Sequence, residues 1–391
     1  MSTTHGVSPR VNWSYPTAIK FGAGRISELG DHCKTVGMKR PLFVTDKGLA
    51  PMAITKNALD ILEDSGLGRA MFSDVDPNPN EHNLAAGLAA YKAGNHDGVV
   101  AFGGGSALDL GKLIAFMVGQ KRKVWDFEDI GDWWTRADAS VIAPNICVPT
   151  TAGTGSEVGR AGVLTDTATH VKKIIFHPKM LPSIVICDPE LTVGMPQWIT
   201  AGTGMDAFAH CLEAYSSPFY HPMSQGIALE GMRLIKDNLP RAYADGHDLE
   251  ARAHMMSAAA MGATSFQKGL GAIHAISHPV GSLYGTHHGT TNAVVMPMVL
   301  DMNRKVIKDR IALAAAYLGI KRGFSGFYDH VLKMRQDLAI PASLSAMKTD
   351  VKIDNSRFDE MTKMALKDPS AGGNPVKMTK ANTRKLFDAC L

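Results

Sequence analysis

The sequence predicts a two-domain α/β protein, in which a domain with a parallel sheet precedes an all-helical domain. In the first half, short β-rich apolar runs alternate with helical segments, and glycines follow several of these runs. From about residue 191 onward, apolar residues recur at helical spacing and β-rich runs become rare. We therefore expect an α/β domain over residues 1–190 and an all-helical domain over residues 191–391.

The overall composition excludes several classes of protein. A net charge of +4 on 391 residues, without a long basic run, argues against nucleic acid as a partner. The chain has no run of about 20 apolar residues that would cross a membrane. Residues 1–13 lack the apolar stretch of a signal peptide. The five cysteines form no CxxC motif, which favours free thiols in a reducing cytoplasm.

Four β-rich runs are the expected strands of the sheet, and helical segments lie between them. The strands are expected at residues 41–45, 98–102, 141–151 and 183–189, and helices at residues 52–65 and 81–94. Parallel sheets bind ligands at the carboxyl ends of their strands, so residues that follow these runs are candidates for a binding site. Residues 367–378, late in the helical half, have the glycine and proline content of a loop.

Two loops of small residues follow the second and third runs. Residues 102–112, FGGGSALDLGK, open a helix, and their glycines would let the backbone approach a pyrophosphate at the helix N-terminus. An ordinary tight turn accounts for the same residues, and Leu108 occupies the position of the third glycine in the GxGxxG fingerprint. The second loop, PTTAGTGSE at residues 149–157, carries hydroxyls that can bind phosphate or ribose.

Asp46 ends the first run and is a candidate cofactor contact. Its carboxylate could accept hydrogen bonds from ribose hydroxyls, or it could act as a helix N-cap. In the first role it would repel a 2′-phosphate and so favour NAD over NADP.

Histidines and one aspartate in the helical half form a candidate metal site. The members are Asp206, His210, His274, His278 and His288, of which the first two and the next two are spaced four residues apart. A carboxylate and three imidazoles suit Fe²⁺, Zn²⁺, Mn²⁺ or Ni²⁺ better than Ca²⁺. Any one histidine is also compatible with a core or surface position, and the spacing does not determine which four residues are the ligands.

Four segments of the chain closely resemble the iron-containing (group III) alcohol dehydrogenases. They are PTTAGTGSEV, DPELT, TGMDAFAHCLEA and GAIHAISHPVGSLYGTHHGTTNAVVMP, and the similarity extends from residue 21 to about residue 380. The resemblance implies an α/β nucleotide-binding domain followed by an all-helical metal-binding domain, an architecture shared with dehydroquinate synthase. The active site would lie in the cleft between the two domains.

The resemblance also implies roles for individual residues. The metal ligands would be Asp206, His210, His274 and His288, and the cofactor contacts would be Asp46, Gly103, Gly104, Gly105, Ser106, Asp109, Thr150, Thr151, Thr154, Ser156 and Lys173. His278 and Asp109 would be the catalytic residues, His278 relaying the substrate proton beside the metal and Asp109 lying near the nicotinamide. His287 matches no ligand position and would lie behind the ligands or at the surface.

By the same resemblance, the protein would interconvert a small alcohol and its aldehyde. The expected metal is Fe²⁺, with Zn²⁺, Mn²⁺ and Ni²⁺ as alternatives, and it would lower the pKa of the alcohol oxygen. Hydride would then pass to the nicotinamide of NAD. The family further implies a homodimer or a larger homo-oligomer.

Two cations point to the class of alcohol. The segments SEVGRAGV and SFQKGLGAIH, with RPLFVTDKGL and HHGTTNAVVMP, look most like the 4-hydroxybutyrate dehydrogenase branch. Arg160, Phe266 and Lys268 are therefore candidate substrate contacts. Either cation, if it faced the pocket, would bind the carboxylate of an ω-hydroxy acid. A surface position or a contact with a cofactor phosphate explains the two cations equally well.

Other activities are compatible with the same residues. They include a hydroxyacid–oxoacid transhydrogenase with a permanently bound cofactor, and an oxidoreductase for simple alcohols, lactaldehyde or propanediol. A non-redox enzyme like dehydroquinate synthase and a metal or nucleotide sensor without turnover are more distant alternatives. Net production of NADH from an alcohol distinguishes the dehydrogenase from the transhydrogenase, the synthase and the sensor.

Overall fold

A computed structural model describes residues 15–169 and 171–391 of the chain. The expectation about a signal peptide concerns residues 1–13, which lie outside the described residues. The strands are β1 (Ala18–Phe21), β2 (Pro41–Val44), β3 (Met71–Phe72), β4 (Gly98–Gly103), β5 (Asn145–Pro149), β6 (Ala161–Asp166), β7 (Val171–Phe176) and β8 (Ile184–Cys187). The helices before and between them are α1 (Leu29–Thr35), α2 (Ala53–Asp64), α3 (Glu81–Ala93) and α4 (Gly105–Met117).

Six of these strands form one parallel sheet in the order β1-β8-β5-β4-β2-β3, which confirms the predicted fold class. The four predicted strands correspond to β2, β4, β5 and β8. Every residue of these four strands is buried, because helices cover both faces of a parallel sheet, and this explains their continuous apolar sequences. The register pairs Gly103 with Pro149 and Val44 with Ala101, so β2, β4 and β5 end side by side.

The sequence did not predict the antiparallel hairpin of β6 and β7, which forms a separate two-stranded sheet. Burial alternates along β6, as expected for a strand with one face on the core. In β7, two consecutive lysines interrupt the apolar pattern, which is why the strand is hard to recognise. β6 packs on α4, and β7 contacts the helix over Ala272–Tyr284 in the second half of the chain. The hairpin therefore links the two halves of the chain.

The second half is helical over its described length. Its helices are α5 (Gln197–Ser216), α6 (Pro222–Ala244), α7 (Leu249–Ser265), α8 (Ala272–Tyr284), α9 (His288–Tyr317), α10 (Gly323–Asp337), α11 (Phe358–Lys367) and α12 (Lys380–Cys390). α5 is buried without interruption from Thr200 to Ser216, and α6, α7 and α9 pack around it. Among the described residues, no helix has the length and apolarity that crossing a bilayer requires. All five cysteines are free and buried.

Two glycines allow α5 and α9 to approach each other closely. A Cβ atom on Gly289 would lie 2.1 Å from the carbonyl oxygen of Gly202 and 2.9 Å from the Cβ of Asp206. A Cβ on Gly202 would lie 2.5 Å from the ring of His287. The first turn of α9 can therefore lie against the middle of α5 only because neither position carries a side chain.

Replacing Gly289 by alanine is expected to destabilise the protein by about 1–3 kcal/mol, because the added methyl must push α9 away from α5. The matched control is Gly226→Ala on α6, where a Cβ would meet no atom within 4 Å. That control should be stabilising by roughly 0.5–1 kcal/mol, since alanine is the better helix former. Thermal and urea unfolding of both variants checks the prediction, and equal stability of the two would contradict it.

Candidate metal and cofactor site

Four side chains from three helices of the helical half converge on one point, three of them buried and that of His288 partly exposed. Asp206 and His210 lie one turn apart on α5, His274 lies on α8, and His288 begins α9. The Nε2 atoms of His210, His274 and His288 lie 3.9, 3.7 and 3.5 Å from Oδ1 of Asp206. These distances are at or beyond the limit for hydrogen bonds. Four ligands about 2.1 Å from a cation in a tetrahedron would be roughly 3.4 Å apart, close to the spacing observed.

The chemistry and the burial of these groups also fit a cation. Ligand atoms of Asp206, His210 and His274 lie within 4.8 Å of one another, and all three residues are buried. Nitrogen and oxygen donors without a thiolate suit first-row divalent metals. Burial lowers the pKa of His210 to about 4, so its imidazole is neutral and can act as a ligand. The predicted ligand set therefore fits a divalent cation.

A glutamate that the sequence analysis missed orients one of these imidazoles. Oε2 of Glu213 lies 2.6 Å from Nδ1 of His274, and Oε1 accepts a hydrogen bond from the N–H of Ile273 at 2.6 Å. Burial opposes a charge on His274, but the carboxylates of Glu213 and Asp206 outweigh it and raise the pKa of His274 to about 10, so a cation has to displace a proton from this imidazole when it binds. Glu213 follows Asp206 and His210 at helical spacing on α5, and this polar stripe on a buried helix was the available signal.

His278 lies beside the four candidate ligands and is held by a second carboxylate. Its ring stacks on that of His288, with centroids 5.2 Å apart, and its Nδ1 lies 2.7 Å from Oδ2 of Asp368. Burial raises the pKa of Asp368, but the charge of His278 and the hydrogen bonds from His278 and Ser370 together outweigh it, so that the net shift is downward. With Nδ1 engaged, Nε2 of His278 is the ring atom that can exchange a proton.

The neighbours of this centre include two further residues singled out in the sequence. His287 caps α9, because its Nδ1 accepts the N–H of Thr290 at 3.3 Å, and its ring packs edge-on against Trp198. Phe266 packs edge-on against the ring of His210, with centroids 5.2 Å apart. Phe266 thus contacts a candidate ligand, and its contact with a substrate stays a prediction.

The two predicted cofactor loops lie against each other at the carboxyl edge of the sheet. Gly103 has a φ of 145°, and α4 begins two residues later, with its N-terminal amides at this edge. A Cβ on Gly105 would lie 2.8 Å from Cγ2 of Thr154, and one on Gly104 would lie 3.4 Å from Cγ2 of Thr151. Gly105 therefore makes room for the second loop, and the start of α4 fits an anion such as pyrophosphate.

Several predicted cofactor residues also hold this edge together. Asp109 accepts hydrogen bonds from the hydroxyl of Ser156 at 2.5 Å and from the N–H of Val163 at 3.0 Å, which ties α4 to the second loop and to the hairpin. The N–H of Thr150 donates to the last carbonyl of β4 at 3.0 Å. Ser106 donates its hydroxyl to a backbone carbonyl before α3 at 2.6 Å.

Asp46 combines a turn with a position next to the glycine loop. Its Oδ1 accepts the N–H groups of Gly48 and Leu49 at 2.9 and 3.0 Å. Its Oδ2 lies 3.5 Å from the point where a Cβ of Gly103 would be. Oδ1 of Asp46 thus stabilises the turn, whereas Oδ2 lies next to Gly103, at the edge where a cofactor ribose is expected.

The two lysines of β7 have different surroundings. Lys173, the predicted cofactor contact, lies 2.9 Å from Oδ2 of Asp166 and 3.8 Å from Oε2 of Glu128. Lys172 points to the other face of the strand. Burial lowers the pKa of Lys172, and the carboxylates of Asp109, Asp206 and Asp368 oppose that shift. Lys172 is therefore the β7 lysine within electrostatic reach of the metal centre.

The two cations proposed for substrate binding have other partners in the structure. Lys268 is almost fully buried, and its ammonium donates to the carbonyl oxygens of Tyr215 and Ser217 at 3.1 and 2.8 Å. These carbonyls end α5, so Lys268 caps that helix and its charge is not available to a substrate. The guanidinium of Arg160 lies over the ring of Phe176, 5.3 Å from its centroid.

A cavity of about 360 Å³ lies between the hairpin, α8 and α11, beside His278 and Asp368. Four lysines are among its lining residues: Lys172, Lys173, Lys363 and Lys367. Asp129 also lines the cavity, and burial raises its pKa although the charge of Arg160 opposes this.

Comparison with known proteins agrees with this geometry. Residues 16–189 match the family model described as iron-containing alcohol dehydrogenase, and residues 200–391 match the C-terminal model of the Fe-containing alcohol dehydrogenase family. The 4-hydroxybutyrate dehydrogenase of Cupriavidus necator is 38% identical over 384 residues, covering 96% of this chain and 98% of the relative.

Two solved structures are similar over almost the whole chain. A 1,3-propanediol oxidoreductase superimposes with a TM-score of 0.92 at 34% identity, covering 98% of this chain and 100% of the other. The sulfoacetaldehyde reductase of Bifidobacterium kashiwanohense, solved in complex with NAD⁺, has a TM-score of 0.88 at 27% identity, covering 98% and 99% of the two chains.

The variant Glu213→Gln is expected to weaken binding of a divalent cation by about 10–100-fold, because it removes the carboxylate that fixes the tautomer of His274. Glu157→Gln is the matched control, since Glu157 is equally buried and lies in the cofactor loop. Titration of metal-depleted protein with Zn²⁺ against a competing chelator measures the two dissociation constants. Similar constants for both variants would contradict the assigned role of Glu213.

Proposed function

The chain belongs to the iron-containing alcohol dehydrogenase family, and we propose that it interconverts a short primary alcohol or ω-hydroxy acid, such as 4-hydroxybutyrate, and its aldehyde. It is an NAD-linked alcohol oxidoreductase that requires a divalent metal. The observation that carries the proposal is the convergence of three imidazole Nε2 atoms on Oδ1 of Asp206, beside a cavity that contains His278.

Each half of the chain contributes residues to a different part of the reaction. Asp206 and the three histidines would hold a divalent cation, which would supply the Lewis acidity that makes an alcohol hydroxyl more acidic, and NAD would supply the hydride acceptor. The pair of Asp368 and His278 can take up the hydroxyl proton at Nε2 of His278. The loops at residues 103–106 and 150–156 bind the cofactor at the carboxyl edge of the sheet.

An anionic substrate is supported by two lysines of the cavity, whose lining also includes the carboxylates of Glu128, Asp129 and Asp368. Lys173 is paired with Asp166, and Asp368 is paired with His278. Lys363 and Lys367 are spaced by one turn on α11, and no ion pair of either is found among the described residues. We propose that these two ammonium groups attract the carboxylate of an ω-hydroxy acid, a role first considered for Arg160 and Lys268.

A neutral alcohol or diol is the second candidate substrate. It is favoured by the similarity to 1,3-propanediol oxidoreductase and to the 1,3-propanediol dehydrogenase of Klebsiella pneumoniae, which is 35% identical over 384 residues, 95% of this chain and 96% of that protein.

We further propose a domain boundary between residues 190 and 191, a homodimer or larger homo-oligomer, and a cytoplasmic location, the last supported by the five free thiols.

The double variant Lys363→Ala/Lys367→Ala is expected to raise KM for 4-hydroxybutyrate about tenfold, which corresponds to roughly 1.4 kcal/mol of lost attraction. KM for 1-butanol should change little, because a neutral alcohol gains nothing from the ammonium groups. The matched control is Lys305→Ala/Lys308→Ala, which removes two exposed lysines from α9, a helix that does not line the cavity. Equal effects on both substrates would favour the neutral alcohol.

Replacing Asp46 by alanine is expected to raise kcat/KM for NADP relative to NAD, because the repulsion of the 2′-phosphate and the hydrogen bonds to the ribose are both lost. Asp31→Ala, at an exposed aspartate of α1, is the control for the loss of one negative charge. Initial rates with both cofactors give the ratio. An unchanged ratio in Asp46→Ala would remove Asp46 from the cofactor site.

A further inference from the structure

The loop that connects α11 and α12, within the stretch predicted as a loop at residues 367–378, contacts α8 at two places. At its start, Asp368 holds the ring of His278. Near its end, the buried side chain of Asn374 reaches the first turn of α8. The same helix thus receives one contact at His278 and another close to His274.

The first turn of α8 is capped by side chains from two other parts of the chain. Its N-cap residue, Gly271, has no side chain that could accept the free N–H groups of this turn. Oδ1 of Asn374 accepts the N–H of Ala272 at 3.1 Å. Oε1 of Glu213 accepts the N–H of Ile273 at 2.6 Å. A Cβ on Gly271 would lie 3.0 Å from each of these two oxygens, so the glycine leaves room for both.

A reciprocal pair of amides holds Asn374 in this position. Its Nδ2 donates to Oδ1 of Asn303 on α9 at 2.9 Å, and Nδ2 of Asn303 donates back to Oδ1 of Asn374 at 2.9 Å. The backbone determines which end of each amide is the oxygen. The N–H of Ala272 requires an oxygen on Asn374. The N–H of Val376 lies 3.3 Å from Oδ1 of Asn303 and requires an oxygen there.

Close packing of the loop against the chain before α8 supports the same contact. A Cβ on Gly373 would lie 2.0 Å from the carbonyl oxygen of Leu270 and 3.2 Å from Cα of Gly269. The loop can therefore lie directly against this stretch only because Gly373 has no side chain. The loop and the start of α8 thus form one packed unit, which the amide pair of Asn374 and Asn303 joins to α9.

We propose that Asn374 is a positioning residue of the metal site, and that it acts by fixing the first turn of α8 between α5 and α9. This inference rests on the metal site of the proposed function. α5 and α9 carry the other three candidate ligands, and His274 lies only two residues after the N–H group that Asn374 accepts. Ligands have to be held to within about 0.5 Å of their places. Loss of this contact would therefore displace the imidazole of His274 from the other ligands.

Two variants of Asn374 distinguish positioning from a general effect on stability. Asn374→Ala removes the acceptor of the Ala272 N–H and is expected to weaken Zn²⁺ binding about tenfold. Asn374→Asp keeps an oxygen for that N–H, and a negative charge is favourable at a helix N-terminus. It loses the donor to Asn303 and to the carbonyl of Val376. We therefore expect Asn374→Asp to unfold more easily than the parent protein and yet to bind Zn²⁺ more tightly than Asn374→Ala.

The experiment measures dissociation constants for Zn²⁺ by chelator competition on metal-depleted, full-length protein. Circular dichroism verifies that each variant is folded under these conditions. The visible spectrum of the Co²⁺ protein is the second readout, because its bands depend on the arrangement of the ligands, and they should change in Asn374→Ala and much less in Asn374→Asp. Asn238→Ala is the control, since Asn238 is buried on α6, which carries none of the candidate ligands, and both its amide atoms are bonded.

The outcomes also separate this inference from the proposed function. If the parent protein takes up neither Zn²⁺ nor Co²⁺, the metal site itself is wrong, and Asn374 has no site to position. If the parent protein binds both ions and Asn374→Ala has the dissociation constant and the spectrum of Asn238→Ala, the metal site stands and the positioning role is wrong. Asn374→Leu, which has a similar shape without an acceptor, replaces Asn374→Ala where that variant is unstable, and the same two results decide.

Discussion

The carboxylate of Asp206 and three imidazoles, of which those of His210 and His274 are buried and that of His288 is partly exposed, converge on one point, and α5, α8 and α9 are packed so as to bring them together. Without a cation, these groups are removed from water and gain little from one another, since their distances of 3.5–3.9 Å are too long for good hydrogen bonds. The free energy of packing must therefore hold them in place. Close contact of α5 with α9 through Gly202 and Gly289 brings Asp206 and His288 together, and Glu213 orients His274 from behind.

The two halves of the chain contribute complementary charges to one cleft. The carboxyl edge of the sheet offers helix amides and glycines, which suit an anionic cofactor, whereas the helical half offers the donors for a cation. The β6–β7 hairpin connects them, because Asp109 accepts a hydrogen bond from the backbone of β6 and β7 packs against α8. Lys172 and Lys173 of this hairpin line the cavity beside His278 and Asp368.

The features of the fold and the site that could be predicted from the sequence depend on patterns among residues that are close together in the chain. Glycines after a buried strand and an aspartate four residues before a histidine are local signals, so the sheet and the α5 pair of ligand candidates could be predicted from the residues. The role of Asp368 could not be predicted, because it depends on contact with His278, which is 90 residues away in the chain. The hairpin was missed because Lys172 and Lys173 interrupt its apolar pattern, and which of the two faces the cleft depends on strand register, which one sequence does not specify.

Lys268 is close to the metal motif in the sequence, but its contacts differ from those that its position suggested. Its position six residues before His274 suggested a substrate contact, yet its ammonium and the guanidinium of Arg310 both donate to the carbonyls that end α5. Cations at a helix C-terminus satisfy its free carbonyls and its dipole. At the other end of α5, the buried Arg252 donates to the hydroxyl of Thr200. The helix that carries Asp206 and His210 is thus fixed at both ends by buried cations, which act on the reaction only through the position of the metal ligands.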